Sequence, residues 1–200
     1  NRNRILAREP MWLTVPVLRG DSHYGRIDQV LIENTQAWRH KYWKSIEQNY
    51  RSHPHYERYE GALQKIIHTP FDRLIDLNLA LIDFFRDALG ITCPMVRAST
   101  LEVSGAKSEL LRQICLRCGA DHYLSGPSGV DYLDESLFRA SGIQVRFHSF
   151  LPPVYPQFGT PFFTPLLSTL DLLMNCGPSS RTVLLGAMPG SEQRPSLGAS

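Results

Sequence analysis

The sequence is short of cysteine, short of net charge and without a long apolar run, and each shortage excludes a class of protein. Four cysteines in 200 residues do not make a disulfide-stapled scaffold. A formal charge of +2, from 21 basic against 19 acidic side chains, lacks the basic excess of an electrostatic nucleic-acid binder, so no nucleic-acid partner is expected. No apolar stretch reaches the roughly 18 residues of a membrane span, and no internal repeat is visible. The one CxxC, Cys115-Leu116-Arg117-Cys118, has no second pair or spaced histidines to complete four zinc ligands. It closes a helical stretch, where the helix dipole does not lower a thiol pKa, so both cysteines read as packing residues. His53 and His55 flank Pro54 and read as helix-entry residues. Neither a metal nor a cofactor is expected.

What is present is an ordinary globular composition, 42% hydrophobic, 10% aromatic and 20% charged. That excludes wholesale disorder, and a chain of this length builds its own core without staples. The first residues, Asn1-Arg2-Asn3-Arg4, carry no methionine and no signal-peptide pattern, which reads as a chain cropped at its N-terminus.

Met11 to Leu18 is rich in β-formers and reads as a strand that Pro16 ends or confines to an edge. Ile27 to Glu33 alternates and reads as a second strand, so the two form an opening pair. From 35 to 89 the period becomes helical. Trp38, Tyr42, Trp43, Ile46 and Tyr50 form an aromatic stripe on a helix with Thr35 as N-cap, expected to face the core. Tyr56 to His68 is a second helix. Phe71 to Leu89, with Leu74, Leu77, Leu81, Phe84 and Phe85 on one face, is a third, closed by Gly90.

Strand and helix then alternate: strands over 96–103, 121–125 and 143–150, helices over 107–118 and 133–141. Short connections between them suggest parallel βαβ units. The expected fold is therefore α/β, a mostly parallel sheet with flanking helices, the opening strand pair and the helical insertion around 35–89. Residues 151–165 read as an ordered Pro- and aromatic-rich loop and 166–176 as a last apolar helix. A single domain is expected over 1–178, with a flexible tail over 179–200.

Two connections carry candidate chemistry. Ser125-Gly126-Pro127-Ser128-Gly129 is not a nucleophile elbow, because G-x-S-x-G needs a residue between the serine and the second glycine. At the end of a parallel strand it is either an anion- or sugar-binding loop or a tight turn that needs positive φ at Gly126 or Gly129. Ser99 to Ser108 puts small residues before Lys107 at a helix start. That suits an anionic group or is simply a surface lysine; it is not a P-loop. Ser168 and Asp171 share a face of the last helix and read as a buried hydrogen-bonded support.

In order along the chain, several segments resemble the WbqC-like family of bacterial polysaccharide-cluster proteins. They are Asn1-Arg2-Asn3-Arg4-Ile5, Trp12 to Val17, Asp76-Leu77-Asn78, Lys107 through Ala120, Tyr123 to Gly126, Asp131-Tyr132-Leu133, Tyr155-Pro156-Gln157 and Leu167 to Gly177. The family opens with a strand and a segment similar to H-Q-P-x-Y-L-P-W before the N-R-N stretch, and that opening is not in this sequence. The resemblance implies a cytoplasmic enzyme of O-antigen or other surface-polysaccharide biosynthesis. Such an enzyme transfers or modifies an activated, nucleotide-linked sugar or its acyl or aminoacyl substituent, and that sugar or acyl donor is its expected partner. On this reading Asp131 is the general base and Lys107 offsets donor charge, while Asn1, Arg2, Asn3, Ser125, Gly126 and Tyr132 bind substrate. The other reading is a non-catalytic module of a polysaccharide assembly complex, using the aromatic helix and the Tyr155–Phe163 loop as contact surface.

Overall fold

A computed structural model describes residues 1–18 and 26–186. They divide into two compact units, Asn1–Thr92 together with 152–186, and Cys93–Leu151. Helix and strand are mixed as anticipated, but the strands form two separate two-stranded sheets, one antiparallel and one parallel.

In the first unit β1 (Arg2–Leu6) and β2 (Pro10–Thr14) make an antiparallel hairpin, with Asn3 opposite Leu13 and Ile5 opposite Met11. Strand alternation turns Ile5 and Leu13 inward, where both are buried. Pro16 falls just beyond the ladder, and Pro10 stands at the first position of β2, where a missing N–H is tolerated. The segment expected as the second strand is instead a 3-10 turn over Ile27–Gln29. Its pairing is reduced to the isolated bridges Val17↔Ile32 and Leu31↔Arg73.

Three helices follow: α1 (Trp38–Tyr50), α2 (Tyr56–His68) and α3 (Leu74–Ala88). The first starts later than expected because the Thr35 hydroxyl donates to Glu33 rather than capping the helix. Its stripe is core: Trp38, Trp43, Ile46 and Tyr50 are buried. Ile46 and Tyr50 pack with Leu63 and Ile67 of α2 and with Ile5 and Leu13 of the hairpin in one apolar cluster. Gly90, at φ +60, ends α3 in the left-handed conformation that glycine adopts without penalty.

After a segment without regular structure, α6 (Thr169–Cys176) joins the same cluster through Leu170, Leu173 and Met174. The expected tail begins as another helix, α7 (Ser180–Gly186), whose Ser180 is buried; the rest of that tail lies outside the described residues.

The second unit holds α4 (Lys107–Arg117), β3 (His122–Ser125), α5 (Glu135–Ala140) and β4 (Gln144–Phe147). The two strands pair in parallel with His122 opposite Gln144, so this is one βαβ unit. Phe138, Ile143 and Cys115 form its core, and Tyr123 stacks on Phe138 at 5.2 Å. Burial pushes the Cys115 thiol up, which fits a packing cysteine, whereas Cys118 is exposed. No strand forms over 96–103, where Ala98–Thr100 is a 3-10 turn.

Candidate functional site

A cavity of about 360 Å³ opens in the first unit between the hairpin, α1, α2, α3 and the start of α6. Its inner wall is hydrocarbon: Ile5, Leu13, Ile46, Leu63 and Ile67 are all buried. Its polar lining is mostly uncharged, with Asn1, Asn3, Asn78, Ser168 and Thr169 among the residues. This combination of an apolar interior and a few placed polar groups is the usual form of a small-molecule site, at the small end of the common range of about 300–1,000 Å³.

The hairpin decides which of the expected substrate-binding residues face this space. Alternation along β1 puts Asn1, Asn3 and Ile5 on the inward face. The Asn1 side chain donates to the Val15 carbonyl at 2.9 Å. Asn3 donates to Ser168 Oγ at 3.3 Å and accepts from the Arg4 N–H at 2.8 Å. Ser168 Oγ in turn accepts from the Leu170 N–H and so caps α6. Arg2 also borders the cavity, but its guanidinium lies over the Trp12 ring, 4.6 Å from the centroid, on the other face of the hairpin. That stacking holds the cation by its attraction to the ring quadrupole.

Asn78 is the residue that the motifs did not mark as a site. It interrupts the apolar face of α3, borders the cavity and is half-buried. Among the described residues its side-chain amide has no hydrogen-bond partner. A lone amide on an otherwise apolar helix face, LIDLNLALIDFF, is the signal that points to it.

Behind α6 lies a second polar cluster. Asp171 is fully buried and accepts three hydrogen bonds, from Tyr50 Oη at 2.9 Å, Tyr155 Oη at 2.9 Å and Gln157 Nε2 at 3.0 Å. Burial, then the Asp171 charge, pushes the Tyr50 and Tyr155 hydroxyls far above the ordinary tyrosine range, so both act as donors. The Leu6 N–H donates to Tyr50 Oη. Gln157 also exchanges two hydrogen bonds with the Thr164 backbone. Asp171 thereby ties α1, α6 and the 155–164 segment together, which is the supporting role read from its spacing to Ser168.

His53 sits against this cluster, 4.7 Å from the Tyr50 ring and 5.2 Å from Phe158 between centroids, and its Nδ1 is buried without a partner. Burial lowers its pKa, and the Asp171 charge only partly opposes this. The unfolded chain therefore binds the proton more readily than the fold. Stability is expected to be full above the ordinary histidine range and to fall as pH drops through it. Denaturation midpoints from pH 8 to 5 should decline in the wild type and decline less in His53→Phe; parallel curves would contradict this.

The remaining expected site residues belong to the second unit. Lys107, Gly126, Asp131 and Tyr132 are exposed, and no salt bridge or side-chain hydrogen bond joins Lys107 to Asp131 among the described residues. Lys107 opens α4 with φ +52, a conformation that residues with a Cβ rarely adopt. Ser125 is buried, and the expected loop after it is a 3-10 turn, Pro127–Asp131. Neither glycine there has positive φ. Gly129 is required for space instead, since a Cβ would lie 2.0 Å from Ser125 Oγ. Among the described residues no cluster of three or more His, Cys, Asp or Glu is arranged to hold a metal ion, and no helix is long and apolar enough to cross a membrane.

The sequence profile of the WbqC-like protein family matches residues 1–183. The uncharacterized protein Rv1507c of Mycobacterium tuberculosis is 31% identical over 181 residues, covering 88% of this chain and 77% of its own length. No solved structure matches the chain.

Proposed function

The chain belongs to the WbqC-like protein family, and from that premise we infer that it is a cytoplasmic transferase of bacterial O-antigen or other surface-polysaccharide biosynthesis. Its substrate is a nucleotide-linked sugar or that sugar's acyl or aminoacyl substituent. The observation that carries the reading is the cavity bordered by Asn1, Arg2, Asn3 and Asn78: a concave space of mixed apolar and polar lining is the usual form of a small-molecule site.

Transfer to a hydroxyl or amine requires a group to take the acceptor's proton and a cation to offset charge on the donor. Asp131 and Lys107 are our candidates for those roles, and Ser125, Gly126 and Tyr132 our candidates for substrate contacts. Both side chains are exposed and without a charged partner among the described residues. The left-handed backbone of Lys107 is the kind of local strain that folds retain at functional positions.

The assembly-module reading keeps one observation in its favour. Phe158 is 50% and Phe162 80% exposed, so the 155–163 loop still offers aromatic surface. Its other support is lost, because the aromatic rings of α1 are mostly core.

A thermal-shift series with nucleotide sugars and acyl donors tests the transferase reading, since a ligand of the native state raises its midpoint by mass action. One donor class should raise it in the wild type, and that rise should shrink in Asn78→Leu. With that donor, Asp131→Asn should turn over at least about 100-fold more slowly. Undiminished turnover removes Asp131 as the base, and no shift with any donor on folded protein favours the assembly module.

A further inference from the structure

The outward face of the hairpin carries a cluster that the cavity does not explain. Alternation along β1 turns Arg2 and Arg4 away from the core. Trp12 of β2 stands directly opposite Arg4, so the three side chains share one face. Both guanidinium groups lie over the Trp12 ring, 4.6 Å and 5.8 Å from its centroid. The other two tryptophans, Trp38 and Trp43, are 5% exposed, whereas Trp12 is 52% exposed. Burial is the usual gain from a tryptophan. An open ring beside two arginines is the composition of a binding surface rather than of a core.

The charge on this face is uncompensated. Neither guanidinium has an ion pair or a hydrogen bond to the protein among the described residues. Stacking uses the plane of a guanidinium and leaves the N–H fork at its edge for an anion. Beside Trp12, between β2 and α1, a shallow depression of about 350 Å³ adds Lys41 and has no carboxylate in its lining. It shares Leu13 and Tyr42 with the cavity, which Arg2 also borders. The cavity lining has no carboxylate either, and apart from Arg2 its polar groups are amides and hydroxyls, among them Asn78, Tyr42 and Thr169.

We propose that this face is the subsite for a nucleoside diphosphate, whose base lies against the exposed part of Trp12 and whose two phosphates accept from Arg2 and Arg4. Lys41 adds positive charge beside them. This rests on the reading that the donor is nucleotide-linked, and it gives the two halves of that donor to two neighbouring surfaces. The cations and the indole take the nucleotide. The uncharged amides and hydroxyls of the cavity take what the terminal phosphate carries. A single exposed tryptophan suits one base, whereas a nucleic-acid strand needs successive stacking rings along a basic groove.

ADP, CDP, GDP and UDP, titrated calorimetrically into the full chain in metal-free buffer, test this directly. At least one should bind saturably, and at least tenfold more tightly than its own nucleoside and than pyrophosphate. Its affinity should fall as salt rises. Arg4→Gln should weaken it at least fivefold and flatten that salt dependence. Trp12→Leu should also weaken it at least fivefold and narrow its advantage over pyrophosphate, while Trp12→Tyr keeps more of both. The altered side chains lie on the outward face, so thermal midpoints should stay near that of the wild type. Should Trp12→Leu fail to fold, Arg4→Gln and Trp12→Tyr decide.

No diphosphate binding by the folded wild type overturns the proposal, as does binding that these variants leave untouched. Pyrophosphate binding as tight as that of every diphosphate overturns it as well, and so does a single-stranded oligothymidylate that binds more tightly than all four. The transferase reading fails separately. If a diphosphate binds as stated and no nucleotide sugar is turned over, the subsite stands and the transferase reading falls. If a nucleotide sugar is turned over but Lys107→Ala, and not Arg4→Gln, removes diphosphate binding, the subsite falls and the transferase reading stands.

Discussion

Asp171→Ala is expected to lower the unfolding free energy by about 3–5 kcal/mol, the usual result of deleting one member of a buried hydrogen-bonded charge cluster. The carboxylate accepts from Tyr50, Tyr155 and Gln157. Without it three donors, those of Tyr50 and Gln157 buried and that of Tyr155 half-buried, lose this acceptor at once, and a buried one left unsatisfied costs about 1–3 kcal/mol. Asp171→Asn keeps the volume but turns an amide NH2 toward donors, so it should fall between the wild type and the alanine variant. The loss should concentrate where the carboxylate is the tie. The 155–164 segment has no ladder of its own and leans on Gln157, which bonds both Asp171 and the Thr164 backbone. Urea unfolding gives the magnitude, and limited proteolysis should find new cleavage within 155–164. A loss below about 1 kcal/mol would mean that water replaces the carboxylate at little cost.

Gly177→Ala is the second large effect, about 2–3 kcal/mol of destabilisation from two causes that can be separated. The residue has φ +52 and ψ −128, where a side chain is strained whatever the space. A Cβ there would also lie 2.4 Å from His55 Nδ1 and within 2.6 Å of two further ring atoms. The His55 main chain is held by its N–H to the Met174 carbonyl at 3.2 Å, so relief has to come from rotation of the ring. His55→Ala in the Gly177→Ala background should therefore recover the steric part and leave the backbone part. Full recovery would show that φ contributes nothing, and no recovery that the ring does not matter.

Much of the helical part of this fold was legible because helices announce themselves through local spacing. The α2 bounds, Tyr56–His68, are those the period gives, and Leu74 and Leu77 of α3 are buried as read. Strands depend on partners far along the chain. The alternation in Ile27–Glu33 is genuine, yet its register meets only Val17 and Arg73, so a 3-10 turn forms instead. The strand that does pair with β2, Arg2–Leu6, has a polar start and gives little period-two signal. Val96 looked like the start of a strand but is exposed, with no neighbour to cover it among the described residues.

The site divides in the same way. Asn1 and Asn3 were marked by the resemblance and do border a cavity. The glycines and proline after Ser125 announce a turn, observed as the 3-10 turn Pro127–Asp131, but Gly129 is there for space and not for φ. The partners of Asp171 lie 121, 16 and 14 residues away, a convergence that no local pattern contains. Arg2 was chosen for its charge, and only the hairpin's alternation reveals that the charge is taken up by Trp12.

The side-chain amide resonances of Asn78, followed in ¹⁵N-labelled protein during titration with an acyl donor, test most directly whether the cavity is the substrate site. Asn34, whose amide already donates to the Phe71 carbonyl at 3.1 Å, serves as the internal reference. The expected result is a saturable shift of the Asn78 NH2 pair with Asn34 unmoved. A shift confined to residues around Lys107 and Asp131, with Asn78 unchanged at saturation, would contradict the cavity as the place where substrate binds.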